Sequence, residues 1–390
     1  MWYCTRLSAV DIPRTCLSTQ VDPRLGSPRG ITTSARVNRT DGDESSMYPQ
    51  STTHLVTGGC GFVGRHLTRR LLDAGADIHV VDTFVSGSPP ETWAPNPIGT
   101  TANSADDQSS TRYEYENGSL TVFECDVREF FERADGEASY DYVWHLAAII
   151  GGRSTIEGEP LKVATDLSID SQFFNWAIDH RPGRILYASS SAAYPTHLQN
   201  GSDPVKLRED HVRFEPKIGS PDMTYGWSKL TGEYLARTAA SEYGLSVAVI
   251  RPFSGYGEDQ SFDYPIPSIA RRAHHQEDPL IIWGSGRQVR DFIYIDDCID
   301  AMLRAVDQIS DGSAVNVGTG TPTDFIEVAE TFADLAGYDP SIETLPEKPE
   351  GPRFRCAETT RMKNELNWEP AVSIRDGFEA VLNGVAQRIE

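Results

Sequence analysis

The stretch "VTGGCGFVGRHL", residues 56–67, decides the fold of this 390-residue chain. It overlaps the end of the short apolar run "HLV" and leads into residues 62–74, whose apolar spacing is helical. Gly58, Gly61 and Gly64 give the spacing G-x-x-G-x-x-G between a strand and a helix. Glycine is needed there because a side chain would keep the backbone away from a diphosphate bound at the helix N-terminus. The stretch therefore predicts a dinucleotide-binding turn.

An acidic residue ends the next predicted strand, "DIHVVDT" at residues 77–83. Asp82 lies 24 positions after Gly58 (82 − 58 = 24), close to the separation expected of a residue that binds the hydroxyls of an adenosine ribose. A carboxylate at this position favours NAD over NADP because it repels a 2′-phosphate. Cys60, inside the glycine loop, is expected to be a small packed residue and not a nucleophile.

The rest of the chain alternates strands with helices, which predicts an α/β fold with a doubly wound parallel sheet of the Rossmann type. Further strands are predicted at residues 120–127, 140–148, 183–191 and 245–253, with the clearest further helices at 162–180 and 224–243. Two segments lack this pattern. Residues 1–50 are predicted to be disordered or to result from an upstream start, with Met47 as the true beginning, and residues 99–119 to be a surface-loop insertion.

The composition argues against several classes of partner. The formal charge of −22 makes nucleic acid an unfavourable partner because phosphate would be repelled. No apolar run approaches the roughly 20 residues that span a bilayer. The six cysteines are scattered without a C-x-x-C pair, which argues against a zinc site or a disulfide framework and indicates a reducing, cytoplasmic location. No metal site is predicted.

Tyr225 and Lys229 in "TYGWSK" are four residues apart, so on a helix they share one face. A phenol with an ordinary pKa near ~10 is a poor base at neutral pH. A neighbouring ammonium and a cationic nicotinamide both favour the ionised form of a phenol. The pair follows a dinucleotide motif and the serine-bearing strand end "YASSSAAYP", residues 187–195. In this context it is predicted to be catalytic.

A series of motifs resembles the extended short-chain dehydrogenase/reductases, the NAD-dependent nucleotide-sugar epimerase/dehydratase group. In chain order they are "TGGCGFVGRHL", "CDV", "HLAA", "SSSAAYP", "YGWSK", "RPFSGYG", "GSGRQVRDFIYIDD" and "NVGTG". The resemblance runs from about residue 54 to the C-terminus. It implies NAD as cofactor, a nucleotide-diphosphate sugar as substrate, and a homodimer through the helices at 162–180 and 224–243. It also implies a NAD-binding domain at 51–255, returning near 291–318, and a smaller mixed domain at 256–390 that is mostly substrate-binding.

The resemblance assigns site residues by position. The implied catalytic residues are Ser190, Tyr225 and Lys229. The residues implied for NAD are Gly58, Gly61, Phe62, Val63, Gly64, Asp82, Asp126, Val127, Leu146, Ala147, Ala148, Tyr225 and Lys229. Those implied for the substrate are Ser190, Ser254, Arg290 and Arg353, and the forked donors of the two arginines suit a diphosphate. Arg153, after the fourth predicted strand, is a further candidate for contact with the sugar.

The residues after Ser190 indicate the reaction. Members of the family begin by oxidising a sugar carbon, usually C4, with the tyrosine as base. A 4,6-dehydratase then needs an Asp-Glu pair directly after the serine, and a UDP-glucuronate decarboxylase needs a Glu at the second of these positions. Here the two residues are Ser191 and Ala192. Because alanine neither donates nor accepts a proton, 4-epimerisation through a transient 4-keto sugar is predicted.

The sequence leaves a second reaction open, which is 3,5-epimerisation. "AAIIGG" and "PEGPRFRCAETT" also resemble GDP-mannose 3,5-epimerase, which uses a cysteine at the Ala192 position and a lysine in a loop that here reads "GEDQSFDYPIP". Both groups are missing, so proton chemistry at C3 and C5 requires Asp259, Asp263 or another side chain to substitute. A 4,6-dehydratase, a 4-ketosugar reductase and a non-catalytic NAD-binding module stay open as well.

Overall fold

The protein contains one large sheet and three small ones. The structure is a computed structural model that describes residues 52–103, 109–133, 139–149 and 153–389. Residues 153–155 are described by their backbone alone. The predictions for residues 1–50 lie outside the described residues. The strands are β1 Thr53–Thr57, β2 Asp77–Asp82, β3 Gly99–Asn103, β4 Ser110–Glu114, β5 Ser119–Glu124, β6 Tyr142–His145, β7 Arg184–Ala188, β8 Val247–Pro252, β9 Ser254–Tyr256, β10 Leu280–Trp283, β11 Val289–Arg290, β12 Phe292–Tyr294, β13 Asp311–Val317, β14 Thr323–Asp324, β15 Ile342–Leu345 and β16 Phe354–Arg355.

The helices lie between these strands and after the last of them. They are α1 Phe62–Asp73, α2 Val127–Arg133, α3 Arg153–Gly158, α4 Pro160–Val163, α5 Asp166–His180, α6 Thr196–Gln199, α7 Met223–Tyr243, α8 Pro265–His274, α9 Ile295–Gln308, α10 Phe325–Leu335, α11 Thr360–Leu366 and α12 Ile374–Ile389. Single turns of 3₁₀-helix form at Pro90–Thr92, Ser191–Ala193 and Glu209–His211.

The large sheet has the strand order β13-β8-β7-β6-β1-β2-β5-β4-β3. From β13 to β5 all neighbouring strands are parallel. The direction of winding reverses between β1 and β6, and a crevice beyond the carboxyl ends of two such strands is where this type of sheet binds its ligands. The predicted α/β fold with a doubly wound sheet is confirmed.

Side chains along each central strand alternate between two hydrophobic cores. Leu55 on β1 packs in the core that includes residues of α2, α5 and α7, whereas Val56 packs in the core that includes residues of α1 and α9. Both side chains are fully buried. Burial of one such side chain contributes about 1.5–3 kcal/mol, so the two cores hold helices on both faces of the sheet.

The prediction that residues 99–119 form a surface loop is wrong. β3 pairs antiparallel with β4, and β4 with β5, so two strands extend the large sheet at its edge. Threonine and tyrosine favour strands, and Tyr113 on β4 is buried against the core. Every residue of β3 is exposed. The polar, low-complexity composition of this segment is therefore that of a solvated edge strand, which its sequence does not distinguish from a loop.

The three small sheets consist of β9 with β12, β10 with β15, and β14, β11 and β16 side by side. Residues of α8, α10 and α12 share the core that also holds α1 and α9. β13, within the predicted return segment at 291–318, pairs with β8 in the large sheet. The domain boundaries at 255 and 256 stay a prediction.

A buried ion pair joins α7 to the large sheet. Arg251 on β8 donates to both carboxylate oxygens of Glu233 on α7, with Nε–Oε1 and Nη2–Oε2 distances of 2.8 Å and 2.7 Å. Ser189, just past β7, donates to the same carboxylate, and Arg251 also donates to the Tyr194 hydroxyl at 3.0 Å. A buried pair with its remaining donors satisfied is destabilised strongly when one partner is lost.

Replacement of Glu233 by glutamine tests this ion pair. Glu233→Gln leaves the Arg251 guanidinium buried without a counter-charge, so we expect the free energy of unfolding to fall by about 3–5 kcal/mol. Urea unfolding measures the change. Glu242→Gln removes a charge from an exposed position on the same helix and should change the free energy by less than about 0.5 kcal/mol. Equal unfolding midpoints for the two variants would contradict the argument.

Candidate active site

The glycine turn between β1 and α1 is the first part of the site. Gly58 has a φ of +70°, and a Cβ on it would lie 3.0 Å from the backbone N and Cα of Ala147. A Cβ on Gly64 would lie 2.1 Å from the carbonyl oxygen of Gly58. The turn thus holds the start of α1 close to the end of β1, with a helix N-terminus facing the crevice. The other predicted cofactor residues of this loop form the N-cap and first turn of α1: Gly61, Phe62 and Val63.

The end of β6 lies against this turn. Thr57 Oγ1 accepts the backbone N–H groups of Leu146 and Ala147 at 3.1 Å and 3.2 Å. Leu146, Ala147 and Ala148 are half-buried. The structure therefore brings the predicted residues after β6 to the glycine turn, at the point where the strand order reverses.

Asp82 ends β2 beside the same turn. Its carboxylate accepts the backbone N–H of Cys60 at 2.9 Å and that of Phe84 at 2.8 Å. Burial raises the pKa of Asp82, although these backbone donors oppose the rise. Cys60 is fully buried, and burial also raises the pKa of its thiol. Asp82 thus orders the glycine loop in addition to its predicted role, and Cys60 is packed as expected.

The acid after β5 has a partner that the sequence did not indicate. Asp126 accepts hydrogen bonds from the guanidinium of Arg128, with an Nη2–Oδ2 distance of 2.7 Å. These hydrogen bonds hold the pKa of Asp126 below its ordinary value. Val127 is buried and begins α2. The predicted strand at 120–127 therefore ends earlier, and the residues assigned to the cofactor lie at the strand-to-helix turn.

The turn Ser191–Ala193 aligns the serine and tyrosine of the predicted catalytic set. Ser190 Oγ accepts the N–H of Ala192 at 3.1 Å, and the N–H of Asp222 donates to the Ala192 carbonyl at 2.9 Å. A Cβ on Gly226 would lie 2.4 Å from that carbonyl oxygen. Because position 226 is glycine, the start of α7 can lie directly against the turn that follows Ser190, with Asp222 and Gly226 on either side of Tyr225 in contact with Ala192.

Lys229 lies one turn along α7 from Tyr225 and is 3% exposed. Its Nζ lies 6.0 Å from the centroid of the Tyr225 ring and 5.3 Å from that of Tyr187. Within the described ranges, Lys229 makes no hydrogen bond and no ion pair. An ammonium has three N–H donors, which need acceptors from water or from a bound molecule. A molecule bound beside Tyr225 would find a hydrogen-bond donor there.

Of the residues predicted for the substrate, Arg290 and Ser254 lie on the small sheets and Arg353 directly precedes β16. Arg290 on β11 donates to the carbonyl oxygens of Pro352 and Glu350, both at 2.7 Å. Arg353 is exposed, and its carbonyl accepts the N–H of Val289 at 2.9 Å. The two arginines therefore lie on neighbouring segments, with Arg290 engaged by the backbone and Arg353 open to solvent. Ser254 begins β9 and is half-buried.

Arg355, to which the sequence patterns gave no role, connects two segments beside the predicted site. It lies opposite Arg290 in the pairing of β16 with β11. Its guanidinium donates to Asp222 Oδ2 at 2.8 Å and to Gln199 Oε1 at 2.6 Å. It thereby ties the C-terminal β16 to the residue that precedes α7. These partners are 133 and 156 positions away along the chain, so no local pattern could have indicated them.

A family model described as "NAD dependent epimerase/dehydratase family" matches residues 54–318. This chain belongs to the NAD dependent epimerase/dehydratase family. The resemblance seen in the motifs is confirmed, and NAD is the cofactor of the family. The enzyme thus belongs to a group that acts on nucleotide sugars, among which epimerases and decarboxylases occur.

Relatives that share a similar percentage of identical residues with the enzyme are named for different activities. It is 25% identical to the UDP-N-acetyl-alpha-D-glucosaminuronate decarboxylase of Bacillus cytotoxicus over 337 residues, 84% of this chain and 96% of that protein. It is 26% identical to GDP-mannose 3,5-epimerase 1 of Oryza sativa subsp. indica over 340 residues, 86% of this chain and 82% of that protein. The solved UDP-glucose 4-epimerase of Thermotoga maritima with UDP-glucose is similar with a TM-score of 0.71 and 25% identity, covering 87% of this chain and all of that chain.

Two observations of this structure fit NAD. At the glycine turn a Cβ at position 58 or 64 would collide with neighbouring backbone, so the turn packs tightly and leaves the N-terminus of α1 to face the crevice, which suits a diphosphate. The buried ammonium of Lys229 has donors that the described residues do not satisfy. A dinucleotide lying from the glycine turn to Lys229 would meet both requirements.

Neither a metal cluster nor a membrane span is found in the described part of the chain. Among the residues that the structure describes, no three His, Cys, Asp or Glu side chains are grouped so as to hold a metal ion. In the same ranges, no helix combines the length and apolarity that a bilayer crossing requires.

A methyl group at position 64 tests the cofactor turn. Gly64→Ala would bring its Cβ to 2.1 Å from the Gly58 carbonyl, so we expect the turn to open and NAD affinity to fall by at least about tenfold, which corresponds to about 1.4 kcal/mol. Calorimetric titration with NAD measures the affinity. Gly158→Ala, at a position where a Cβ meets nothing within 4 Å, is the control. Unchanged affinity in Gly64→Ala would show that the turn does not hold the diphosphate.

Proposed function

We propose that the enzyme epimerises a nucleotide-diphosphate sugar at C4 through a transient 4-keto intermediate. The observation that carries this proposal is the turn beside Ser190. Its residues, Ser191, Ala192 and Ala193, are buried and contain no side chain that is ionisable near neutral pH. Elimination of water or loss of carbon dioxide needs an acid or base at this position, whereas hydride return to the other face of C4 needs none.

Each member of the catalytic set has a task in the reaction itself. Tyr225 takes the proton of the 4-hydroxyl as hydride leaves C4, and it returns the proton after the keto sugar has turned. Lys229 stabilises the ionised tyrosine through the positive charge on Nζ, 6.0 Å from the ring. Ser190 holds the hydroxyl that reacts. NAD, when bound, accepts the hydride and gives it back.

Residues at the strand ends would hold the cofactor. The N–H groups at the start of α1 and the turn at Gly58 and Gly64 face the diphosphate. Asp82 binds the adenosine ribose, and Lys229 donates to the ribose of the nicotinamide. Residues of the turn after β5 flank the adenine, and Ala147 lines the nicotinamide side. The remaining assignments of the sequence analysis are proposed in the same way for Gly61, Phe62, Val63, Asp126, Val127, Leu146 and Ala148.

Arg290 and Arg353 are proposed to bind the substrate diphosphate. Arg353 is exposed and presents its guanidinium for a bidentate contact. Arg290 fixes the neighbouring segment through the carbonyl oxygens of Pro352 and Glu350 and contributes its positive charge. Ser254 is proposed to contact the sugar.

A 3,5-epimerase is the rival that the comparison with GDP-mannose 3,5-epimerase raises. It needs a second proton carrier near the sugar. Asp259 is held by Arg65 at 2.6 Å and by His66 at 2.9 Å. Burial alone would raise the pKa of Asp259, but these two partners outweigh it and lower the pKa, which makes it a weak base. Asp263 is exposed and accepts a hydrogen bond from Ser261. Both observations favour C4 chemistry.

Nuclear magnetic resonance in deuterated water separates these reactions. A panel of UDP- and GDP-sugars is incubated with the NAD-loaded enzyme. We expect one substrate to yield its C4 epimer with no deuterium on carbon, because the hydride returns internally. Deuterium at C3 or C5 would identify a 3,5-epimerase, a deoxy-keto product a dehydratase, and a pentose product a decarboxylase.

Tyr225→Phe tests the proposed acid and base. Loss of the hydroxyl should lower kcat by about 10²–10⁴-fold while NAD affinity stays within about threefold of the wild type. Tyr243→Phe, at an exposed position on the same helix, is the matched control and should be unchanged. If Tyr225→Phe retains full activity, another group transfers the proton. If the wild type gives no product with any sugar, the protein is a non-catalytic NAD-binding module.

We also infer a homodimer through α4, α5 and α7. Large apolar side chains on these helices are exposed: Leu161 by 86%, Tyr234 by 55%, Trp227 by 42% and Leu167 by 40%. Since α5 and α7 pack against each other through shared core residues, their outer faces form one continuous surface. An exposed apolar surface of this kind is typical of a protein–protein interface.

Charges on this surface should prevent association. We expect the wild type to be a dimer by light scattering and the double variant Leu161→Glu, Leu167→Glu to be a monomer, because each buried carboxylate would lack a partner. Val85→Glu, at a residue that is 88% exposed on another part of the chain, should stay dimeric. A dimeric double variant would place the interface elsewhere.

A cytoplasmic location is proposed on the chemistry of the thiols. The cysteines in the described ranges are all free, namely Cys60, Cys125, Cys298 and Cys356. Free thiols are typical of reducing compartments.

A further inference from the structure

Two buried carboxylates lie near Lys229, on the helix that packs beside α7. Asp166 and Asp170 are one turn apart on α5, and each is 1% exposed. Carboxylates are seldom fully buried unless they are paired. Neither is within 4.0 Å of the lysine in the described structure, yet both act on its charge. The site therefore contains more negative charge than the predicted catalytic set accounts for.

Asp170 is held by hydrogen bonds from two strands. Tyr187 on β7 donates its hydroxyl to Oδ2 at 2.7 Å, and His145 Nε2 on β6 lies 3.2 Å from Oδ1. Thr57 Oγ1 already accepts two backbone N–H groups, so its own proton goes to His145 Nδ1 at 3.0 Å, which leaves Nε2–H to donate to Asp170. Burial lowers the pKa of His145 and raises that of Tyr187. Both groups are therefore neutral near pH 7, and Asp170 accepts a hydrogen bond from each of them.

Asp166 is held more loosely. The backbone N–H of Ile149 donates to its Oδ1 at 2.6 Å, and the Ser228 hydroxyl lies 3.5 Å from Oδ2. Burial raises the pKa of Asp166 to about 6, although the charge of Lys229 opposes the rise. Asp166 therefore changes its charge close to neutral pH.

The pKa of Lys229 depends on its burial and on the charges of the groups around it. Burial alone would lower the pKa of Lys229, but the negative charges of Tyr225, Asp170 and Asp166 outweigh burial and raise it. Glu233, one turn further along α7, is neutralised by Arg251. With Asp166 ionised, the cluster beneath Tyr225 holds one more negative charge than with Asp166 protonated.

We propose that Asp166 is a positioning residue that acts through Lys229 to set how readily Tyr225 ionises. The proposal rests on the proposed function, in which the same tyrosine must take a proton from the sugar and return it in one turnover. An ammonium that is too strongly positive would stabilise the ionised tyrosine and hinder the return of the proton. The charge of Asp166 offsets part of this stabilisation without touching the sugar.

Asp166→Asn is the direct test because asparagine keeps the acceptor for the Ile149 N–H and removes the charge. The NAD-loaded enzyme is labelled with carbon-13 at the ζ-carbon of tyrosine, and the Tyr225 signal is assigned from its loss in Tyr225→Phe. We expect the titration midpoint of that signal to fall by about one pH unit, the order of magnitude of the effect of one buried charge at an effective dielectric constant of about 20. The acidic limb of kcat/KM should move down by the same amount.

Asp179→Asn is the matched control because it removes a charge from an exposed position on the same helix. It should leave the Tyr225 midpoint unchanged. Equal midpoints in the wild type, Asp166→Asn and Asp179→Asn would overturn the proposal, and thermal unfolding of each variant checks that a shift does not come from loss of structure. A shifted midpoint in an enzyme that turns over no sugar would refute the proposed reaction alone.

The wild type provides a second measurement should Asp166→Asn fail to fold. Because the pKa of Asp166 is about 6, the Tyr225 carbon signal should show a small inflection near that pH, in addition to its own titration. The inflection should be present in Asp179→Asn. A featureless curve from about pH 5 to pH 7 in the wild type would refute the proposal without any variant of Asp166.

Discussion

A lysine ammonium buried without a hydrogen-bonding partner among the described residues is the constraint on which the arrangement of this site depends. A lone cation in a low-dielectric interior costs several kcal/mol unless charges or dipoles around it compensate. Asp166 and Asp170 supply part of this compensation from α5, and hydrogen bonds from β6 and β7 keep Asp170 in place. The packing of α5 against α7 and the hydrogen bonds at the ends of two strands therefore set the electrostatic surroundings of Lys229. The proposed ionisation of Tyr225 depends on these surroundings, to which the bound cofactor adds its own charge.

The fold could be inferred from the sequence where a physical requirement is local. The glycines of the turn after β1 and the alternation of strands with helices each reflect a short-range rule, so the doubly wound sheet was predictable. Residues 99–119 were not, because a solvated edge strand has the composition of a loop. In the site, the tyrosine and lysine were visible from their spacing. The contacts of Arg355 and Asp126 were not, because one depends on partners far along the chain and the other on a side chain two positions away that carries no motif.

Membership of the family depends on the whole fold, whereas the choice of reaction depends on a few side chains. In the proposed reaction, the dinucleotide turn, the sheet and the α7 helix provide for oxidation of a sugar carbon, and relatives at 25–26% identity include both a decarboxylase and a 3,5-epimerase. The step after oxidation depends on a few side chains next to Ser190 and in the loop after β9. In this enzyme that turn has only small uncharged residues, and the Asp259 carboxylate of the loop is tied to α1.

The outermost strand of the large sheet has a consequence for behaviour in solution. β3 reads Gly-Thr-Thr-Ala-Asn, is exposed throughout, and pairs on one side only within the described residues. It carries none of the lysines or prolines with which edge strands commonly resist pairing with other copies. The charge of −22 supplies that resistance instead, as long-range repulsion between molecules. Since salt screens this repulsion over about 10 Å at 0.1 M, the repulsion that keeps copies away from this exposed edge weakens as ionic strength rises.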